Sequence, residues 1–397
     1  MIDWNYILNQ VATVAFDIIY FGAIIGTIVV IILDNRNPVK TLAWILVLMF
    51  LPVVGLVFYF FFGRSRRRER IIGQKIYNRL LNKPMVEYLA QDATTLPMAY
   101  SRLISLFRNT TQAFPFDGNR IEIYTNGGSM LQSLLRELQN ARQHIHIEFY
   151  IFEDDAIGRM VRDVLVEKAR AGVEVRLIYD DVGCWHVPNR FYDEMLSAGI
   201  EVRSFLKVRF PLFTSKVNYR NHRKIVVIDG LVGVTGGINL ADEYMNAKTV
   251  YGHWKDCSIM IRGEAVWNFT LMFLQFWNYD EKVCDDYLLY KADAHAFDDL
   301  SDDGYVQPFS DSPTDDEHVG ENIHISLVNA ANRYIFIQTP YLVLDNEMKT
   351  SLELAAKCGV DVRIMVPHIP DKKFVFEVTR ANYRSLLKLS LIHISEP

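Results

Sequence analysis

Between Thr41 and Gly63 the chain runs 23 residues without a charged side chain (TLAWILVLMFLPVVGLVFYFFFG). As one helix this stretch is about 34 Å long, enough to cross a bilayer core of about 30 Å. A second apolar stretch, Trp4 to Leu33, precedes it, with Asp17 as its only charge. Seven residues, Asp34 to Lys40, join the two, so residues 1–63 read as a hairpin of two transmembrane helices. A signal peptide is the competing reading of the first stretch, but it lacks a basic n-region and a small-residue cleavage site. Pro52 and Gly55 are tolerable in lipid, where neighbours satisfy a freed carbonyl. Asp17 is either functional, as a costly carboxylate in a span, or near the interface if the span begins after it. The second is the preferred reading.

Basic residues set the orientation. Arg64, Arg66, Arg67, Arg68, Arg70, Lys75 and Arg79 follow the second stretch, whereas the connecting loop holds Arg36 and Lys40. The positive-inside rule places everything after Gly63 in the cytoplasm and makes the chain multi-pass in the cell membrane. Residues 64–115 form a basic juxtamembrane linker. Its arginines serve as a topology signal, or alternatively as a grip on anionic headgroups. The net charge of −5 speaks against a nucleic-acid partner. Cys184, Cys257, Cys284 and Cys358 are scattered, with no CxxC pair and no His at zinc spacing, so neither a disulfide framework nor a metal is expected.

From Phe116 onward strands and helices alternate. Ile145 to Phe152 reads as a strand and Ile157 to Ala171 as a helix stopped by Gly172. Val173 to Tyr179 is a second strand, which completes a βαβ unit. The order recurs with strand Tyr334–Thr339, helix Asn346–Lys357, stop Gly359 and strand Val360–Val366. Ala171 to Arg176 (AGVEVR) aligns with Cys358 to Arg363 (CGVDVR) at an offset of 187. This reads as a duplicated α/β domain, with a first half at 116–280 and a second at 321–388. Between them, the acidic residues 281–320, with Pro308 and Pro313, read as a solvated linker.

The segment Asn221 to Asn239 reads NHRKIVVIDGLVGVTGGIN. Ile225 to Ile228 is a buried strand, and His222 and Lys224 lie two apart, on one side of an extended chain. Asp229 closes the strand, Gly236 and Gly237 make a turn that lets backbone approach a ligand, and Asn239 starts a helix. The set suits phosphodiester chemistry. A neutral imidazole attacks phosphorus, a lysine supplies fixed charge for the phosphoryl oxygens, and a carboxylate holds the imidazole in one tautomer.

With these residues in view, the chain resembles the phospholipase D superfamily, whose signature is HxKxxxxD followed by GGxN. It is closer to the bacterial cardiolipin synthases, which it resembles over nearly its full length. Thr41 to Arg64 is similar to their membrane segment, and Tyr251 to Gly263 to their Trp-x-Asp region. Thr339 to Tyr341 and Ala355 to Pro367 are similar to their second half. The resemblance implies a cofactor-free phosphatidyltransferase that condenses two phosphatidylglycerols into cardiolipin and glycerol through a phosphohistidine. Another superfamily phosphodiesterase, or a non-catalytic membrane protein, is the alternative. It further implies that His222, Lys224 and Asp229 are catalytic and that phosphatidylglycerol and other anionic phospholipids are the partners. Gly236, Gly237, Asn239, Glu148 and Asp256 are the candidates for substrate binding. Glu148 either lines the pocket or faces solvent. Trp254 is assigned to packing, and His144 and His146 are read as strand residues.

In the family the site forms between two HxKxxxxD motifs, one per half. The repeat offset puts a second histidine near position 409, beyond Pro397, and no second motif occurs in the 397 residues. Leu389 to Pro397 (LSLIHISEP) does not follow the family pattern and is read as a non-native tail. The second half is therefore read as incomplete and this chain, as given, as inactive. His393 is no substitute, because Ser395 stands where a lysine is needed.

Overall fold

In the computed structural model the described residues are 4–33, 38–59, 100–111, 113–208, 220–278, 286–300, 303–311, 318–388 and 392–395. They divide into two units, one holding residues 4–59 and the other holding the α/β elements. The arginine run at 64–79 lies outside the described residues.

In the first unit, α1 (Trp4–Leu33) is one continuous apolar helix, long enough to cross a membrane over Gln10–Leu33. Asp17 lies on an exposed face of it. The second apolar stretch departs from expectation. It is two helices, α2 (Pro38–Phe50) and α3 (Pro52–Phe58), broken at Leu51 (φ −133°, ψ 65°). A proline inside a helix breaks a backbone bond at a cost of about 3 kcal/mol, whereas at the first helical position it costs little. Pro52 takes that first position. The chain folds back there, bringing the Trp44 and Tyr59 rings to 5.3 Å, edge to face. Leu48, Tyr59 and Ile31 form a small buried cluster with Ile28, Trp44, Ile45 and Leu56 around it.

The second unit opens with α4 (Ser101–Thr111). Its first half then runs β1 (Arg120–Tyr124), α5 (Gly127–Asn140), β2 (His144–Phe149), α6 (Ala156–Arg170) and β3 (Glu174–Asp180). It continues with α7 (Asn189–Ser197), β4 (Glu201–Phe205), β5 (Ile225–Ile228), β6 (Val232–Gly236), β7 (Ser258–Arg262) and α8 (Val266–Trp277). The seven strands form one sheet in the order β1-β7-β6-β5-β2-β3-β4. β2, β3 and β4 are parallel, and β5 pairs antiparallel with β2, Ile145 opposite Ile228 and Glu148 opposite Ile225. All six residues of β2 are buried. Ile145 and Ile147 join the larger core with α5 and α6, while His146 stacks on Phe273 of α8 at 4.5 Å. His144 and His146 are strand residues, both covered by the Tyr290 ring.

The second half comprises α9 (Val319–Ala330), β8 (Tyr334–Gln338), α10 (Asn346–Lys357), β9 (Asp361–Met365) and α11 (Lys373–Leu387). It repeats the first in detail. Asp155 caps α6 and Asp345 caps α10, each side chain accepting from the backbone N–H three residues on. Gly172 and Gly359 end the two helices at φ +92° and +91°, where a side chain would be strained. Within the tail, Ile392–Ser395 forms β10, parallel to β9 in a three-stranded sheet β10-β9-β8. This is the place β4 takes beside β3, reached by a short apolar segment adding to an open strand edge.

The acidic segment keeps its described acids exposed, yet it is tied to the α/β unit at several points. Phe116 and Val306 exchange backbone bonds, and Gln307 donates to the Ile104 and Ala113 carbonyls. Tyr290 is buried and donates to Glu174 at 3.0 Å. Aromatic and aliphatic residues interspersed among the acids, which charge counting overlooks, account for this return to the core.

Candidate active site

The HxKxxxxD segment straddles the start of β5, and its two ends do different work. Asp229, at φ +53°, is separated from Lys224 by the whole strand, about 16 Å at 3.3 Å per residue. Its carboxylate accepts from the backbone N–H groups of Arg142, Gln143 and His144 at 2.8, 2.7 and 2.9 Å. It therefore ties the end of β5 to the start of β2 and does not reach His222. The expectation that Asp229 orients the imidazole is corrected on this point.

His222 and Lys224 do come together. The Lys224 ammonium lies 3.2 and 3.4 Å from the two ring nitrogens and donates to the His222 carbonyl at 2.9 Å. His222 is exposed to solvent, with the Tyr150 ring tilted against it at 4.6 Å between centroids. Burial, with the Lys224 charge second, pushes His222 down to about 4. The imidazole is thus neutral near pH 7. Burial also pushes Lys224 down to about 8, with the Asp256 charge opposing it.

Two buried carboxylates hold the chain on either side of His222. Asp180, at the end of β3, accepts from the Asn221 N–H through Oδ2 at 2.9 Å. Its Oδ1 accepts from the Val182 and Gly183 N–H groups, both at 2.9 Å, and faces Arg220 at 3.3 Å. Glu148, near the end of β2, accepts from the Asn221 side-chain amide and pairs with Arg223 at 3.2 Å. Arg223 in turn lies 3.4 Å over the Phe276 ring. Burial raises both carboxyls, and these donors oppose the rise. Glu148 is fully buried, so neither sequence reading of it, pocket wall or solvent face, is met. It sets the residues that flank His222.

Gly236 and Gly237 pass under the segment that follows Trp254. A side chain at Gly236 would meet the Cys257 carbonyl and Ser258, and one at Gly237 would meet the Asp256 carboxylate. These glycines let Asp256 approach, near enough for its charge to act on Lys224. Asn239 is buried and accepts from the Ile151 N–H at 3.1 Å, joining the loop after β6 to the end of β2. It lies in a run of turns, not at a helix start. Trp254 packs on Tyr244 at 4.5 Å and exchanges backbone bonds with the Asn246 side chain. Sequence reading missed Tyr150, Asp180 and the Asn221 amide. A signal existed in their location, since the carboxyl ends of parallel strands are where α/β folds place ligand sites.

The profile described as "Cardiolipin synthase, PLD-like domain" matches residues 134–252, and "Phospholipase_D-nuclease N-terminal" matches residues 22–64. A cardiolipin synthase of Halalkalibacterium halodurans is 34% identical over 387 residues, covering 94% of this chain and 75% of that protein. One from Geobacillus kaustophilus is 36% identical over 379 residues, covering 94% and 74%. This chain belongs to the cardiolipin synthase family. Cardiolipin synthases are phosphatidyltransferases of the phospholipase D superfamily, and the duplicated α/β fold agrees with that placement. The crystal structure of phosphatidylserine synthase from Haemophilus influenzae shares the fold at a TM-score of 0.50. It is 12% identical, with 75% of this chain and 76% of that one aligned. The apolar helix α1, long enough to cross a membrane over Gln10–Leu33, is compatible with membrane association of a member of this family.

Proposed function

We propose that His222 is the nucleophile of a phosphatidyl transfer that joins two phosphatidylglycerols into cardiolipin and glycerol. The observation that carries this reading is a neutral imidazole beside a buried lysine. The ring nitrogen attacks phosphorus and forms a P–N bond as the P–O bond to glycerol breaks. Lys224 balances the negative charge that grows on the phosphoryl oxygens. The hydroxyl of a second phosphatidylglycerol then attacks, restoring a P–O bond and freeing His222. Asp256, drawn close by the Gly236-Gly237 turn, places its charge near the same lysine. The catalytic unit faces the cytoplasm, as the arginines after Gly63 support, and its substrates are anionic lipids of the same membrane.

The departing glycerol needs a proton, and the attacking hydroxyl must lose one. His222, bonded to phosphorus, can do neither, so a second imidazole is required. The 397 residues hold one HxKxxxxD. Among the described residues β8 pairs with β9 alone, which leaves free the edge corresponding to the edge of β2 that carries β5. A strand at that edge would bring a second motif, as β5 brings His222.

The test extends this chain with the C-terminal quarter of the Geobacillus kaustophilus relative and supplies phosphatidylglycerol vesicles. Cardiolipin and glycerol are expected in equal amounts, with lipid-labelled protein trapped by alkaline quench and absent in His222→Ala. Phosphatidic acid as the product would favour a hydrolase. Turnover surviving His222→Ala would remove His222 as nucleophile.

A further inference from the structure

The break at Leu51 changes how the N-terminal region meets a bilayer. A straight helix would separate Trp44 and Tyr59, fifteen positions apart, by about 22 Å, whereas their rings stand 5.3 Å apart. The approach is built into the sequence. Pro52 starts α3, and Gly55 lies so close to α2 that a Cβ there would sit 3.1 Å from the Val47 carbonyl and 3.2 Å from the Leu48 Cα. Neither arm can cross alone, since the 13 residues of α2 rise about 20 Å, and even a helix running on from Pro52 to Gly63 would rise only about 18 Å, against a core of about 30 Å.

The outer surface of the hairpin has only one compatible surrounding. Leu42, Met49, Phe50, Leu51, Val53 and Val57 are more than half exposed, and no charge occurs from Thr41 to Gly63. The turn itself, Phe50-Leu51-Pro52-Val53, is wholly apolar. Hydrocarbon is the solvent that suits it, with the tip deepest.

The charge pattern supplies an independent observation. Two straight spans would put Arg36 and Lys40 on the face opposite Arg64, Arg66, Arg67 and Arg68. A hairpin that enters and leaves by one face puts all of them on the same side, in accord with the positive-inside rule. The residues before α1's span, 1–9, carry Asp3 and no lysine or arginine.

We propose that α2–α3 is a re-entrant hairpin seated in one leaflet, so that α1 is the single crossing and residues 1–9 lie on the face opposite residues 34–40 and 64–68. The fold-back at Leu51–Pro52 and the basic residues at both ends of the hairpin are the features that require it. The inference replaces the second span and is independent of the chemistry at His222.

Single cysteines at Ile2, Asn35 and Ser65, in a chain whose four native cysteines are serine, test it. A membrane-impermeant maleimide is applied to intact cells and then to permeabilised ones. Ile2→Cys is expected to react in intact cells, with Asn35→Cys and Ser65→Cys protected alike until permeabilisation. If Asn35→Cys and Ser65→Cys differ in protection, the second stretch is a span and the proposal is overturned. If Ile2→Cys is protected together with the other two, the single crossing is overturned. The side on which Asn35 and Ser65 lie together reports separately on the cytoplasmic orientation.

Discussion

Asp180→Asn isolates the grip on the residue before His222. The replacement is nearly isosteric, and its amide oxygen can keep the Val182, Gly183 and Arg220 contacts now made by Oδ1. Its NH2 then faces the Asn221 N–H, where Oδ2 accepts at 2.9 Å in a fully buried setting. One charge-assisted hydrogen bond becomes a donor facing a donor, a loss of about 2–3 kcal/mol. The change falls beside His222, so the imidazole loosens from Tyr150 and Lys224, and its pKa climbs from about 4 toward the ordinary 6.5. Urea unfolding of the full chain in detergent measures the first effect, and histidine-ring NMR titration measures the second. A stability within about 0.5 kcal/mol of the parent, or a His222 titration that does not move, would refute the clamp.

Three further outcomes follow from the same structure. The transfer rate of the extended chain is expected to be limited on both sides of neutrality. It falls below about pH 4 as His222 takes a proton, and above about pH 8 as Lys224 loses its charge, which a pH–rate profile measures. His144 is buried and its folded pKa is lowered to about 4, by burial first and His146 second. The unfolded chain therefore takes up the proton first, so stability falls as pH drops from 6.5 to 4, by up to about 3 kcal/mol. In His144→Gln that part of the denaturation-versus-pH slope should flatten. Pro52→Leu combined with Gly55→Leu makes the second stretch a continuous helix, so Asn35→Cys in that background should become reactive in intact cells while Ser65→Cys stays protected.

The chemistry and the architecture differ in how far the chain order reveals them. The HxKxxxxD spacing, the apolar stretches and the repeated AGVEVR/CGVDVR ends are local patterns. Backbone periodicity and helix stops write such patterns directly into neighbouring residues. They determined the α/β class, the repeat, the pairing of His222 with Lys224 and the presence of a membrane-seeking region. Contacts that close only in three dimensions were not legible. Asp229 has its motif position fixed by sequence, yet its carboxylate serves β2, because β5 pairs with a strand 80 residues earlier. Glu148 gave a partial sign, since a charge in an otherwise apolar strand needs a partner. That its partners are Asn221 and Arg223 depends on the sheet order β5-β2-β3. The second apolar stretch shows the same division. Its composition decided that it belongs in lipid. Whether it crosses or turns back rests on Pro52 and on the close approach of Gly55 to α2, a packing contact that no hydropathy count contains.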